Sequence, residues 1–211
     1  MSDTLYTVEH GTSANVVAKM LRVLFPDASS VLDMTYGSGS FWRGTDTGLS
    51  VTGIDINPER ARDVCADFTR LPFADGAFDV AIFDPPFHAD MGRGKASITG
   101  KRYTAYPSML LLHAAVRKGS AEALRVSRLG AIVKCQDYVH GSKLVEMTQW
   151  VRERIGSPYQ RVDVVRPHKL LDPKWGEQLS AYSNSATFLA YRHGDQRHIR
   201  RRRQAALEVA S

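Results

Sequence analysis

The sequence predicts one α/β domain built on a doubly wound, mostly parallel sheet. Three observations carry that expectation. Short runs near 30–34, 51–55, 63–67 and 79–83 have strand length, and Val31-Leu32 and Val80-Ala81-Ile82-Phe83 are apolar in the manner of buried strands. Amphipathic helical segments flank them. Acid- or glycine-bearing turns follow the runs, at the carboxyl ends where open α/β sheets receive ligands. At 211 residues the chain has room for one substantial domain and not for two ordinary ones. The expected division is a domain over 1–193 and a basic tail over 194–211.

In chain order, Thr12 or Ser13 caps a helix whose Val16, Val17, Met20, Leu21 and Leu24 share one face, and Pro26 ends it. The run Val31-Leu32-Asp33 leads into Met34-Thr35-Tyr36-Gly37-Ser38-Gly39, where Gly37 and Gly39 allow a tight turn and a close backbone approach to a ligand. Little room remains before the next strand, so the following helix should be short. A dinucleotide fingerprint does not fit, because the third glycine of Gly-x-Gly-x-x-Gly falls on Trp42. Val51-Thr52-Gly53-Ile54-Asp55 reads as a second strand ending in an acid. Asn57-Pro58-Glu59 then looks like a helix start, so Asp55 can also be read as the residue that initiates that turn. Cys65-Ala66-Asp67-Phe68 ends the third run, and Val80-Ala81-Ile82-Phe83 meets Asp84-Pro85-Pro86-Phe87.

Residues 88–107 form a long polar stretch with Lys, Arg and interleaved Tyr103 and Tyr106, a length that in a compact domain points to function or disorder. Ser108 to Leu124 reads as a helix weakened around Gly119, and Gly130 to Cys135 as the strand it feeds. Gln136, Asp137 and Tyr138 sit at that strand's carboxyl end. Ser142 to Ile155 reads as a further amphipathic helix, and 167–183 as a second loop carrying His168, Lys169, Lys174 and Trp175. Cys65 and Cys135 lie in or beside apolar runs, with no second cysteine or histidine at metal spacing, and read as buried free thiols rather than metal ligands.

The Asp84-Pro85-Pro86-Phe87 turn carries the most chemistry. Two prolines fix the backbone and remove two donors, so the carboxylate and the neighbouring carbonyls can all accept. An exocyclic NH2 group offers two N–H bonds and would satisfy such acceptors. Phe87 supplies a ring to stack on an aromatic partner.

Taken together and in this order, the acid-Gly-x-Gly turn and the Asp-Pro-Pro-Phe turn resemble the class I S-adenosylmethionine-dependent methyltransferases, in particular the amino-methyltransferases of nucleic-acid bases. The likeness covers roughly residues 10 to 193 and looks nearest to small bacterial or phage DNA adenine-N6 methylases. It implies a Rossmann-like, mostly parallel, seven-stranded sheet with an antiparallel terminal strand, the last pair being 160–166 and 185–191. It further implies S-adenosylmethionine as cofactor, held by Asp33, Thr35, Gly37 and Gly39 at the methionine end, Asp55 at the ribose, Asp67 at the adenine amine, and Thr12 near the carboxylate. Met34 and Thr35 depart from the Pro and Phe usual in DNA-modifying relatives. Asp84, Pro85, Pro86 and Phe87 would form the catalytic turn, binding the target amine and aiming its lone pair at the methyl group. Adenine N6 in DNA is the first expectation; guanine N2 or adenine N6 in RNA, or a nucleic-acid-binding protein that keeps the fold without activity, are the alternatives.

A formal net charge of +6 favours a polyanionic partner. Arg93, Lys95, Lys101 and Arg102, with Tyr103, crowd the loop after the Asp84 turn and are expected to touch DNA or RNA, as are Lys169 and Lys174 in the second loop. No apolar run approaches the roughly twenty residues a membrane span needs, and no charged-then-apolar leader opens the chain, so a cytoplasmic protein is expected.

Overall fold

The computed structural model describes residues 4–86, 106–140, 143–165 and 185–193. Ten strands and three helices occur among them: β1 (Val8–His10), α1 (Ser13–Leu24), β2 (Ser30–Asp33), β3 (Ser50–Asp55), β4 (Val64–Cys65), β5 (Phe78–Phe83), α2 (Met109–Val126), β6 (Ser127–Cys135), β7 (Tyr138–His140), β8 (Lys143–Val145), α3 (Met147–Ile155), β9 (Gln160–Val165) and β10 (Ser185–Arg192). Eight strands form one sheet in the order β1-β9-β10-β6-β5-β2-β3-β4. β10 runs antiparallel to both β6 and β9, and the other pairings in this sheet are parallel. The expected terminal antiparallel pair is present. The expected seven strands become eight because β1 adds to the edge of β9. Three residues are too few to show a period, so that strand leaves no sequence signal.

The apolar runs of β2 and β5 are buried on both sides, as their composition requires. Along β5, Ala81 and Phe83 face a core shared with Leu112, Val116 and Ala123 of α2 and Met147 and Val151 of α3. Val80 and Ile82 face the opposite core, with Val16, Val17, Met20 and Leu21 of α1. This alternation is the strand period of two. The side chain of Thr12 accepts the Asn15 N–H at 3.2 Å and starts α1 as the sequence indicates. At the other end of β5, Asp79 accepts from the Ser29 and Ser30 N–H groups and from Arg128, which fixes β5 against β2 and β6. Burial opposes its ionisation, but these bonds outweigh it and hold the carboxyl well below the usual range.

Three local expectations are corrected. Turns replace the short helix after the glycine turn and the helix start at Asn57, so no α-helix lies between β2 and β4 among the described residues. Gly44 and Gly48 hold φ of 70° and 67°, and a right-handed helix cannot run through such residues. The Ser142 helix begins only at Met147, because Lys143–Val145 pairs with Tyr138–His140 and Asp137 Oδ1 accepts the Thr148 N–H at 2.8 Å, capping the helix there. Cys65 is exposed, since β4 has only two residues to cover it, whereas Cys135 is buried. Among the described residues no helix is long and apolar enough to cross a membrane.

Gly119 does not weaken α2. The helix runs uninterrupted across it, and a Cβ there would strike the Phe83 and Phe68 rings, which pack with centroids 4.9 Å apart. Gly119→Ala is therefore expected to destabilise despite alanine's better helix propensity, by about 1–3 kcal/mol for overpacking. A thermal melt showing a fall of several degrees bears this out; a rise would show that the rings yield freely.

Candidate active site

The carboxyl ends of β2, β3, β4 and β5 lie on one edge of the sheet, and the chain leaves β2 toward β3 on one side and pairs it with β5 on the other. Strand order reverses there, which opens the crevice where doubly wound sheets hold ligands. Asp33, Asp55, Asp67 and Asp84 all follow or end these strands.

Asp33 is 1% exposed. Its Oδ1 accepts the Thr35 N–H at 3.1 Å and its Oδ2 the Trp42 indole N–H at 2.7 Å. Burial pushes its carboxyl up to about 7, against the pull of these two bonds and with help from the Asp84 and Asp55 charges. The folded state thus holds the Asp33 proton more tightly than the unfolded chain. Stability should fall as pH rises from about 4 through 7, by up to about 1.4 kcal/mol per unit from this group. Denaturant melts at pH 5 and pH 8 compare the two states: Asp33→Asn should flatten the fall, and an unchanged slope would assign it to other groups.

The turn beyond Asp33 is held from several sides. Gly37 N–H donates to Asp55 Oδ2 at 3.0 Å, and Asn57 N–H donates to Oδ1 at 2.8 Å, so Asp55 is both a turn former and a support of the glycine turn. Gly37 and Gly39 adopt φ of 55° and 66°. A Cβ on Gly39 would lie 2.7 Å from the Tyr36 hydroxyl oxygen, and the same ring occupies the space beside Gly53. Asp67 Oδ1 accepts the Thr69 N–H at 2.7 Å. Tyr106 stands close by: its phenol is pushed up by burial and then by the Asp67 charge.

The Asp84 turn is tied directly to the glycine turn. Asp84 N–H donates to Thr35 Oγ1 at 3.0 Å. Asp84 Oδ2 accepts from Lys134 Nζ at 2.6 Å, and the two side chains are 22% and 10% exposed. Lys134 comes from β6, where Phe83 pairs with Val133, and its ammonium stands 5.5 Å from the Phe41 ring centroid. Pro85 is buried and Pro86 half-buried.

The structure therefore brings Asp33, Thr35, Gly37, Gly39, Asp55 and Asp84 together. Thr12 lies at the start of α1, its hydroxyl engaged in the cap. Phe87, Arg93, Lys95, Lys101, Arg102, Tyr103, Lys169 and Lys174 lie outside the described residues, as do most of both expected nucleic-acid loops. Sequence reasoning gave no role to Trp42, Tyr36 or Lys134. For Lys134 a signal existed, a lone charge inside the apolar strand Ala131–Cys135.

Residues 32–88 match the model of a methyltransferase domain, and they run from the glycine turn through the Asp84 turn. The fold matches, over 87% of this chain and 79% of the other, the 1,6-didemethyltoxoflavin-N1-methyltransferase of Burkholderia thailandensis, at TM-score 0.50 and 16% identity. The fold is that of a class I methyltransferase. A methyltransferase of Archaeoglobus fulgidus described as SAM-dependent aligns over 85% of this chain and 94% of its own, at TM-score 0.46 and 12% identity. No curated protein sequence matches the chain. The cofactor of this methyltransferase domain is S-adenosylmethionine, which supplies an electrophilic methyl group. The residues present suit it: at Gly37 the turn leaves room where a Cβ would stand, with the half-buried acid Asp55 beside it.

Proposed function

We propose that this S-adenosylmethionine-dependent methyltransferase acts on an exocyclic amine of a nucleic-acid base, adenine N6 in DNA first. The observation that carries the reading is the Thr35–Asp84 hydrogen bond, which fixes an amine-accepting turn against the turn that serves the cofactor. Asp55 would take the ribose hydroxyls and Asp67 the adenine amine. Gly37 and Gly39 would line the methionine end, with Asp33 acting through Thr35 and Trp42 to keep that turn in shape. Thr12 would stand near the cofactor carboxylate.

An aromatic amine is a poor nucleophile because its lone pair is delocalised into the ring. Asp84 Oδ1 and the Pro85 carbonyl would accept its two N–H bonds, favouring a more tetrahedral nitrogen with its lone pair aimed at the methyl. Positioning and preorganised charge then supply most of the rate. The amine proton is released once the methyl has arrived, to Asp84 or to water. Phe87 would stack on the base, and the basic residues of 88–107 and 167–183 would hold phosphates. A base in a duplex reaches such a site only when flipped out.

The test is transfer of labelled methyl to total DNA and, separately, to total RNA at low and high salt. Label in DNA that drops steeply with salt supports the reading. Label in RNA keeps the amine chemistry and moves the substrate. Label in neither argues for a small-molecule substrate or a protein that binds without reacting.

A further inference from the structure

We infer that Lys134 sets the amine specificity of this site: paired with Asp84, it presents a charge-neutral acceptor that takes an uncharged aromatic amine and turns away an aliphatic ammonium. The inference rests on the reading that Asp84 receives the target amine. Lys134 lies between the buried Val133 and Cys135 of a central strand, an expensive place for an ammonium unless it is paired. Its partner is the one acid of the target turn, at 2.6 Å, and the Phe41 ring stands on the ammonium at 5.5 Å. Asp84 is therefore fixed at two points, its N–H by Thr35 and its Oδ2 by Lys134.

The charge balance decides what Oδ1 can accept. An aliphatic amine has a pKa of about 10 and arrives protonated near neutral pH. An unpaired carboxylate would draw it in and take, on its way to water, the proton that must leave before the nitrogen lone pair can attack the methyl. With Lys134 in contact the pair carries no net charge, and an ammonium at Oδ1 would face a second ammonium across one carboxylate in a mostly buried site, where like charges repel strongly. An aromatic amine carries no charge, keeps its lone pair unprotonated, and gives its N–H to Oδ1 without conflict. Selection thus comes from a repulsive element as well as an attractive one.

The experiment compares wild type, Lys134→Met, Asp84→Asn and the double variant Asp84→Asn/Lys134→Met in methyl transfer to nucleic acid and to benzylamine, with S-adenosylhomocysteine affinity as the folding control. The wild type should label nucleic acid and leave benzylamine unlabelled. Lys134→Met should keep its cofactor affinity, lose about tenfold or more in kcat on nucleic acid, gain benzylamine methylation, and so shift the ratio of the two rates by about 100-fold. A lysine with a purely structural role would lower both rates together; an unchanged ratio, or benzylamine labelling by the wild type, overturns the inference. If Lys134→Met fails to fold, the double variant, free of both charges, carries the test. It should be no less active on nucleic acid than Asp84→Asn alone, and about a tenfold further loss would mean that Lys134 acts apart from Asp84 and overturns the inference. A wild type that labels neither substrate takes down the target reading and this inference with it. A wild type active on nucleic acid with an unshifted ratio in Lys134→Met takes down this inference alone.

Discussion

Asp84→Ala is expected to lower methyl transfer by about 10²–10³-fold, the scale seen when one preorganised group facing the reacting atoms is removed. Cofactor affinity should hold, because Asp84 meets the glycine turn through its backbone N–H and that bond to Thr35 survives the substitution. The alanine variant also leaves Lys134 facing no carboxylate, so part of any loss could come from an uncompensated buried charge. Asp84→Asn removes the same negative charge but keeps an oxygen that the ammonium can bond. The Lys134 ammonium donates only, so it claims the amide oxygen and turns the amide NH2 toward the incoming amine, donor against donor. Asparagine should therefore be nearly as damaging to catalysis as alanine in this chain, with a smaller loss of stability because the ammonium keeps one hydrogen bond. Steady-state kinetics with calorimetric cofactor titration measure both, and an asparagine variant of near wild-type kcat would show that Oδ2 and Lys134 do not set the orientation.

Loss of Asp55 should act on the other half of the reaction. Its two oxygens take the Gly37 and Asn57 N–H groups, so the acid holds the glycine turn and the turn after β3 at once. Asp55→Ala removes both supports and the proposed ribose contact, and hydrogen bonds to a charged group contribute about 1.5–3 kcal/mol each. Titration with S-adenosylhomocysteine should show affinity reduced at least about tenfold, matching one such bond. A change below about twofold, less than one such bond, would move the ribose elsewhere. The pair of variants should divide cleanly, Asp84 changing kcat and Asp55 changing cofactor binding.

What the sequence made legible was mostly local. The Thr12 cap, the two-sided burial of Val80 to Phe83 and the acids at strand ends each follow from a few neighbouring residues, and the structure reproduces the sheet they imply. What escaped depends on distant or very short segments. Lys134 meets Asp84 across fifty residues, and only the β5–β6 register brings them together. β1 is too short to carry a period. The segment from 143 to 145 has a composition that suits a helix as well as a strand, and pairing with β7 decided it. Gly119 reads as a weak point of its helix because its reason, the two phenylalanine rings beneath it, lies on other elements. Trp42 counted only against a dinucleotide site until its indole N–H was seen on Asp33.

The central claim is that the methyl group goes to an exocyclic amine held at Asp84. The most direct test is to incubate the protein with labelled S-adenosylmethionine and DNA, digest to nucleosides, and identify the labelled product by mass, with Asp84→Asn alongside. N6-methyladenine in the wild-type digest and none above background in the variant is the predicted result. Label on a ring carbon, a ring nitrogen or a ribose oxygen, or amine label that persists in Asp84→Asn, would contradict the account.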